Sequence, residues 1–334
     1  MTYTPLTRMA FGYATSQILH TAVRLGIPEA LEAGPLPQEK LAVETSCDQA
    51  GLGRLLRALT VLGVIGQTPA GYALTDLGRP LCPGHPGSLH AALLMLGDPA
   101  MWRAWGSLTD AVRSGGSAFE HAHGHPLFDH LAGDPGLSTL FNTAMGAGTG
   151  EVAGDFVRAY DVRAARTVVD IGGGNGTLLA AVLAAAPDAH GVLLDSAEGA
   201  ARAAPTLRRA APPERWTITP GDFFDTVPEG DLILLKGILH DWDDRRCVTI
   251  LRNCRRSIAP DGRLLVLEPV VAPGAGPGAA AAVMSDIAML VLTGGQERTA
   301  AEYRALLAAS GFALSAITEP LGATPTRILA AIPC

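Results

Sequence analysis

The sequence has no apolar run that could cross a membrane. Its longest nearly unbroken run covers only residues 178–186, whereas a spanning helix needs roughly 18 residues or more. The first ten residues also lack the apolar core of a signal peptide. The five cysteines form no C-x-x-C pair, and none lies at metal-ligand spacing from a histidine. We therefore expect reduced thiols, no bound metal and a cytoplasmic location.

Positive charge is scarce as well. There are 25 Lys and Arg residues against 32 Asp and Glu, a net charge of −7. The protein as a whole therefore has no basic field to hold nucleic acid or an anionic membrane. Hydrophobic residues make up 48% and charged residues 17% of the chain, which excludes a disordered protein. A folded protein that acts on small molecules is the expectation.

The N-terminal part predicts helices followed by a small hairpin. The expected helices cover residues 8–25, 28–33, 38–45 and 48–62, and the hairpin covers 64–75. This order is typical of a winged helix, which can bind DNA or a second copy of itself. Residues 1–100 carry six basic and seven acidic side chains, so there is no basic stripe for DNA. We expect residues 1–87 to form a winged-helix-like dimerisation domain.

The pattern changes along the rest of the chain. Residues 88–160 stay helical and predict a connecting region. From residue 161 to 334, short apolar runs alternate with helical stretches: TVVDIGG, GVLLD, WTITPGD, DLILLK, RLLVLE and RILAAI. This alternation predicts an α/β domain whose parallel sheet has helices on both faces. The small residues 273–282 predict a loop between the strand that ends at Glu268 and a helix that starts near Met284.

Candidate ligand contacts follow the predicted strands. A glycine-rich turn after the first strand lets a ligand approach the backbone, although its G-x-G-x-G spacing differs from that of dinucleotide folds. Asp195 ends the second strand, where it can bind a ribose or simply cap the strand. After the third, Asp222 and Phe223 suit an adenine, but Asp222 is equally typical of a turn. Open α/β sheets bind their ligands at these strand ends.

A histidine lies just beyond the fourth strand. Lys236 ends that strand, and His240, Asp241 and Trp242 follow it. Glu268 and Glu297 come from later segments and could reach the same place, where carboxylates would fix the tautomer of an imidazole. His240 is therefore a candidate catalytic base. An ordinary core or surface histidine, and glutamates on solvated loops, are the alternatives.

In this order and with these gaps, VVDIGGGNG, GVLLD, GDFF, LLKGILHDW, LLVLEP and GGQERT resemble the S-adenosylmethionine-dependent O-methyltransferases of plant caffeate and isoflavone metabolism and of bacterial antibiotic tailoring. In the N-terminal half, HTAVRLGIPEAL, HGHPLFDHL and FNTAM follow the same pattern. The resemblance implies a Rossmann-like class I methyltransferase domain with a mostly parallel seven-stranded sheet. It also implies a homodimer formed through the N-terminal domain and a small aromatic acceptor in natural-product tailoring.

The resemblance also assigns roles to residues. It implies that His240 is the general base, that Glu268 and Glu297 flank it, and that no metal is needed. The implied contacts to S-adenosylmethionine are Gly172, Gly174, Asp195, Asp222, Phe223, Lys236 and Trp242. The implied acceptor pocket, to which the connecting region contributes, contains Phe128, Phe141, Met145, Met284, Asp286 and Met289, with Trp102 and Phe119 as neighbours. Aromatic and Met residues at helical spacing belong to an ordinary core more often than to a substrate pocket, so that alternative stays open.

The acid–base chemistry limits the mechanism. A phenol has a pKa near 10 and an unperturbed histidine one near 6.5, so complete proton transfer before methyl transfer costs roughly 5 kcal/mol. We therefore expect the proton to leave as the methyl moves, with orientation of the hydroxyl supplying most of the acceleration. Two alternatives remain. One is transfer to nitrogen or carbon, or a non-methylating reaction, on the same fold; the other is a winged-helix regulator that senses a small ligand.

Overall fold

The structure is a computed structural model that describes residues 4–272 and 277–334. The chain divides into two compact units. The first contains the described residues up to Trp102 together with Asp134–Ala147, and the second contains Arg103–Gly133 and Gly148–Cys334. The three-part division predicted from the sequence, with boundaries after residues 87 and 160, stays a prediction.

Short helices and one hairpin make up the first unit. Its elements are α1 (Pro5–Ala10), α2 (Gly12–Arg24), α3 (Ile27–Glu32), α4 (Gln38–Glu44), α5 (Gln49–Val61), β1 (Ile65–Thr68), β2 (Gly71–Leu74), α6 (His90–Leu96), and parts of α7 (Pro99–Gly106) and α11 (Pro135–Ala159). The antiparallel pairing of β1 with β2 confirms the predicted hairpin. The single helix predicted over residues 8–25 was wrong, because the chain leaves helical geometry at Phe11 and forms two helices.

The second unit is a sheet with helices packed against it. After α8 (Leu108–Ser114), α9 (Ala118–His123) and α10 (Leu127–Gly133), its elements are β3 (Thr167–Ile171), α12 (Thr177–Ala185), β4 (His190–Asp195), α13 (Ala197–Ala200), α14 (Ala204–Ala210), β5 (Trp216–Pro220), β6 (Gly230–Lys236), α15 (Asp244–Ser257), β7 (Ile258–Val271), α16 (Pro277–Leu292), β8 (Arg298–Thr299), α17 (Ala300–Ala308), β9 (Phe312–Ile317) and β10 (Thr326–Pro333). Because α16 begins at Pro277, the loop predicted over 273–282 is too long at its C-terminal end; residues 273–276 lie outside the described residues.

The strand order is β5-β4-β3-β6-β7-β10-β9, with the short β8 beside β7. Strands β5, β4, β3, β6 and β7 are parallel, whereas β10 runs antiparallel to both of its neighbours. Successive residues of a strand point to opposite faces. Accordingly, Val168 and Leu234 belong to one buried apolar cluster, and Val169 and Ile233 to another. This architecture confirms the predicted fold class.

The parallel strands place their carboxyl ends at one edge of the sheet. The glycine-rich turn follows β3, Asp195 ends β4 and Lys236 ends β6. Ligands of open α/β sheets bind at this edge, so the fold brings the predicted cofactor and catalytic segments together. In the described part of the chain, no helix is both long and apolar enough to cross a membrane.

Candidate active site

The turn after β3 depends on glycine. Gly172, Gly174 and Gly176 have φ values of 65°, 52° and 77°, in the left-handed region that other residues rarely adopt. A Cβ on Gly172 would also collide with the side chain of Ile238. Around Gly174, by contrast, no atom of the described residues other than Gly174 and its two chain neighbours lies within 4 Å of where a Cβ would be. The backbone here is therefore accessible to a ligand.

Asp195 holds this turn in place. Its Oδ2 accepts a hydrogen bond from the Gly174 N–H at 2.7 Å, and its Oδ1 accepts one from the Ser196 N–H at 2.7 Å. Burial raises the pKa of the Asp195 carboxyl, although these two hydrogen bonds oppose the shift. The predicted ribose acid is thus a partly desolvated carboxylate beside the glycine turn.

A second carboxylate, Asp170, lies beside the turn and was not predicted. It is only 1% exposed, and its buried Oδ2 has no hydrogen-bond partner among the described residues. Burial, followed by repulsion from Asp195, raises its pKa to about 7. The signal that could have found it is the aspartate inside the apolar strand VVDIGG, since a charged residue in a buried strand needs a reason.

These groups fit S-adenosylmethionine. Asp195 stands at the strand end where a carboxylate can accept both hydroxyls of a ribose. The charge of Asp195, together with that of Asp170 where it is ionised, attracts a cation and repels a pyrophosphate, which disfavours a dinucleotide. A nucleoside that carries a positive charge matches the buried, unpartnered oxygen of Asp170 and the accessible backbone at Gly174.

The segment after β5 has a turn of its own. The Oδ1 of Asp222 accepts a hydrogen bond from the Phe224 N–H at 2.8 Å. The Asn253 side chain donates to the carbonyl oxygens of Phe223 and Phe224 at 2.9 and 2.8 Å, which fixes the segment against α15. Asp222 therefore has the turn role that the sequence left open, and its contact with a ligand stays a prediction.

Trp242 joins a cluster of aromatic rings. It stacks on Phe128 with 5.7 Å between ring centroids and meets Phe224 edge-on at 4.9 Å and Phe223 at 6.3 Å. The guanidinium of Arg246 lies 5.4 Å from the Trp242 ring centroid, in cation–π geometry. The structure thus brings Trp242 and Phe223, two predicted cofactor contacts, together with Phe128, a predicted acceptor contact. Phe224 and Arg246 were not predicted.

His240 lies in a short 3₁₀ helix, Leu239–Asp241, just after β6. Its Nδ1 is 2.9 Å from the Oε1 of Glu297, and its Nε2 is 4.0 Å from the Oδ1 of Asp241. The side chain is 17% exposed. An ionised carboxylate can only accept, so Nδ1 carries a proton that it donates to Glu297.

The charges around His240 shift several pKa values. Burial lowers the pKa of His240, but the carboxylates of Asp241, Glu297 and Glu268 outweigh it and raise the pKa to about 9. Burial raises the pKa of Asp241 to about 6, although His240 opposes that shift. Burial lowers the pKa of Lys236, and the neighbouring carboxylates oppose it. The site is an acidic, partly desolvated cluster around one imidazole.

The two predicted glutamates act on different parts of the histidine loop, which we define as residues 237–243 between β6 and α15. Glu268 is fully buried, and its Oε1 accepts hydrogen bonds from the backbone N–H groups of residues 238–240 at 2.6 to 3.3 Å. Its Oε2 accepts one from the hydroxyl of Tyr303 at 2.5 Å. Of the two glutamates, Glu297 is the one hydrogen-bonded to the ring of His240. Glu268 therefore fixes the backbone of the loop, and Tyr303, which was not predicted, fixes Glu268.

Helix α16 positions Glu297. The hydroxyl of Ser285 donates to Glu297 Oε1 at 2.7 Å, and the Oδ1 of Asp286 accepts the Glu297 N–H at 2.9 Å. Asp286, predicted to contact the acceptor, thus has a hydrogen bond to the backbone of Glu297. Met284 is exposed and Met289 half-buried on the same helix.

The other predicted acceptor-side residues are placed as follows. Phe141 and Met145 lie on α11 in the first unit, and Trp102 is on α7 in that unit. Phe119 is fully buried on α9, as a core residue is. Among the described residues, no group of three or more His, Cys, Asp and Glu side chains could hold a metal ion. The acceptor role of all these residues stays a prediction.

Comparisons with known proteins agree with this geometry. Residues 105–313 match the O-methyltransferase domain, and residues 7–83 match the O-methyltransferase dimerisation domain. The second match confirms that the N-terminal helices and hairpin are a dimerisation region. Phenazine O-methyltransferase of Lysobacter antibioticus is 40% identical over 314 residues, which cover 93% of this chain and 91% of the relative.

Solved structures extend the likeness to three dimensions. The structure of the mitomycin 7-O-methyltransferase has a TM-score of 0.91 and 37% identity, and the match covers 98% of this chain and 97% of that one. The crystal structure of an O-methyltransferase from neocarzinostatin biosynthesis contains S-adenosylmethionine and 2-hydroxy-5-methyl naphthoic acid. It has a TM-score of 0.82 and 30% identity, with 96% of both chains covered. The chain therefore belongs to the family of S-adenosylmethionine-dependent O-methyltransferases.

Proposed function

We propose that this enzyme methylates a hydroxyl group of a small aromatic metabolite in natural-product tailoring, and that His240 takes the proton of that hydroxyl at Nε2. The observation that carries the proposal is the 2.9 Å contact between His240 Nδ1 and Glu297 Oε1. It keeps the proton of the neutral ring on Nδ1, which leaves Nε2 as the basic nitrogen. The base and its orienting carboxylate then have the arrangement that general base catalysis requires.

An aromatic acceptor is supported by two kinds of observation. The relatives include a phenazine O-methyltransferase and an enzyme solved with a naphthoic acid. In this chain, the ring of Phe128 stacks on that of Trp242, which is two residues after His240. Met289 is half-buried on α16, the helix whose side chains bind Glu297. Aromatic faces and thioethers suit a flat ring system.

The cofactor would be held at the edge of β3 and β4. When bound, S-adenosylmethionine supplies an electrophilic methyl group on a positively charged sulfur. The backbone at Gly172 and Gly174 and the carboxylates of Asp170 and Asp195 are the groups of this chain that suit it. In this proposal these residues bind and orient S-adenosylmethionine, and they take no part in proton transfer.

The raised pKa of His240 lowers the free-energy cost of proton transfer from the acceptor, compared with the cost predicted from the sequence. With a pKa of about 9, His240 holds a proton within roughly one pKa unit of a phenol. Moving the proton of the acceptor hydroxyl to Nε2 therefore costs roughly 1.4 kcal/mol, instead of the roughly 5 kcal/mol expected with an unperturbed histidine. The counterpart is that most His240 rings are already protonated at neutral pH, so the active, neutral form increases as the pH rises toward 9.

Product analysis tests the proposal. The enzyme is incubated with S-adenosylmethionine and a panel of phenolic and aminophenolic acids that includes 2-hydroxy-5-methyl naphthoic acid and 1,4-dihydroxy-2-naphthoic acid, the aromatic molecules solved in complex with a related enzyme. We expect a product that has gained one methyl group, with a methoxy signal in its nuclear magnetic resonance spectrum. A methyl group on nitrogen or carbon, or an oxidised product, would contradict the proposal.

A non-methylating reaction is the second candidate. A relative that is 36% identical over 306 residues is the aclacinomycin 10-hydroxylase of Streptomyces purpurascens. The intact set of His240, Glu268 and Glu297 supports methyl transfer instead, because a proton acceptor at this position serves an attacking hydroxyl. A product that has gained an oxygen atom, detected by mass spectrometry, would support the second candidate.

We also infer that the enzyme works in the cytoplasm. All five cysteines are free thiols, which is the usual state in a reducing compartment. Cell fractionation followed by detection of the protein with an antibody tests this location.

A further inference from the structure

Arg298 is the largest fully buried side chain in the described part of the chain, and the mechanism above does not use it. Its Nη1 donates to the carbonyl oxygen of Leu239 at 3.0 Å, and its Nη2 donates to that of Trp242 at 2.8 Å. Its Nε donates to the Oδ1 of Asp244 at 3.0 Å. One guanidinium thus contacts two carbonyl groups of the histidine loop, one on each side of His240, and the first residue of α15.

With these contacts, both the N–H groups and the carbonyl groups of the histidine loop have hydrogen-bond partners in other segments. Glu268 accepts from the N–H groups of residues 238–240, while Arg298 donates to carbonyl oxygens of the same loop. The N–H of Gln296 donates to the carbonyl oxygen of His240 at 2.8 Å. A Cβ on Gly295 would collide with that carbonyl oxygen. The loop is therefore held through its carbonyl groups by the segment that carries Glu297.

Arg298 is also adjacent in the chain to Glu297, the carboxylate that orients His240. It follows Glu297 directly in the chain, and its backbone pairs with Val270 of β7. A shift of the loop relative to this segment would change the distance between His240 Nδ1 and Glu297 Oε1. A planar guanidinium with fixed donors resists such a shift, whereas a lysine ammonium is a single point on a flexible stem.

We propose that Arg298 is a positioning residue, which locks residues 239–242 to the segment carrying Glu297 so that the His240 ring keeps its contact with Glu297. The kinetic part of this inference rests on the proposed role of His240 as the base. The structural part, that Arg298 maintains the contact between ring and carboxylate, does not depend on turnover.

The experiment compares wild-type enzyme with Arg298→Lys by nuclear magnetic resonance of ¹⁵N-histidine-labelled protein. In the wild type, we expect a low-field proton on His240 Nδ1 that exchanges slowly with water; His240→Ala identifies it by its loss. In Arg298→Lys, this signal broadens or disappears, and the pH titration of the ring moves to lower pH. The kcat with an acceptor found by product analysis falls roughly 10- to 100-fold, as expected for displacement by about 1 Å. The Kd for S-adenosylmethionine stays at the wild-type value.

Controls separate positioning from general stability. Arg255→Lys is the matched control, because Arg255 also donates to carbonyl oxygens, those of Gly311 and Cys334, away from the loop. We expect it to keep the low-field proton and the ring titration. An unchanged proton signal and titration in Arg298→Lys, accompanied only by a lower Tm, would overturn the inference.

A second variant keeps the test valid if Arg298→Lys does not fold. Asp244 is 70% exposed, so Asp244→Ala removes the charged partner of Arg298 with little loss of packing. In Asp244→Ala we expect the Nδ1 proton signal of His240 to change in the same direction but by a smaller amount. An unchanged signal would count against the inference. If His240→Ala retained wild-type turnover, the proposed base would be wrong, but the effect of Arg298 on the ring would still be decided by the spectrum.

Discussion

Glu297 Oε1 lies 2.9 Å from Nδ1 of His240, although 57 positions separate the two residues in the chain. The contact joins the loop after β6 to the segment between α16 and β8. It fixes which nitrogen of the ring is basic and contributes to the pKa of about 9. The properties of the proposed base are therefore set by a residue from a different part of the sequence.

Replacing Glu297 should alter the pH dependence of catalysis. Only neutral His240 can act as a base, so kcat/KM for the wild type should rise with pH through about 9. Glu297→Gln removes a negative charge that favours the imidazolium, so the rising limb should move to lower pH, toward the ordinary value near 6.5. Measured pH profiles of the two enzymes test this. The exposed Glu319→Gln is the control, and a limb that stays in place in Glu297→Gln would contradict the prediction.

Tyr303 should support the stability of the site. Its hydroxyl is bound to Glu268 Oε2, so Tyr303→Phe leaves a buried carboxylate oxygen without its donor. We expect the free energy of unfolding, measured by urea denaturation, to fall by about 1 to 3 kcal/mol. Tyr160→Phe, at a half-buried tyrosine of the same unit, should change it much less. Equal effects of the two substitutions would contradict this role.

Asp170 should reduce stability in a pH-dependent way. Its pKa is about 7 in the folded protein against an ordinary value of 3.8, so the unfolded chain loses this proton first. The cost to the folded state begins above the lower value and is complete above the higher one. Asp170→Asn should therefore stabilise the protein by about 1 to 3 kcal/mol at pH 8 and hardly at all at pH 4. An equal change in Tm at both pH values would contradict the assignment.

Asp195 should be needed for cofactor binding. Asp195→Ala removes a carboxylate from the end of β4 and the acceptor of the Gly174 N–H. Calorimetric titration with S-adenosylmethionine and S-adenosylhomocysteine should show a Kd at least about tenfold higher, a loss of roughly 1.4 kcal/mol. The exposed Asp188→Ala is the control and should bind as the wild type does. Unchanged affinity in Asp195→Ala would place the ribose elsewhere.

The sequence predicted most of the fold because the spacing of apolar residues, which distinguishes helices from strands, is visible within short stretches of the chain. The alternation of buried strands and helices from residue 161 onward identified the parallel sheet, and the rule that ligands bind at strand ends assigned Asp195 and His240 to the same edge of that sheet. The turn residues of the hairpin at 64–75 were equally informative. The local pattern failed at Phe11, where the backbone leaves helical geometry and the expected single helix is two.

Several site residues escaped prediction because their roles depend on distant partners. Tyr303 meets Glu268 across 35 positions, and Arg298 reaches Leu239 across 59. Both residues resemble ordinary members of a helix and a loop until the fold is known. Glu268 was predicted as a site residue, but its hydrogen bonds to the loop backbone were not predicted, for the same reason. Spacing along the chain does not show which atom of a carboxylate meets which donor.

The most direct test of the account is the turnover of His240→Ala at saturating S-adenosylmethionine, measured with an acceptor whose methoxy product has been identified. Loss of the base should lower kcat by about 10² to 10⁴, while the calorimetric Kd for S-adenosylmethionine stays at the wild-type value. Wild-type turnover in this variant would contradict the role of His240 Nε2 as the group that receives the proton of the acceptor.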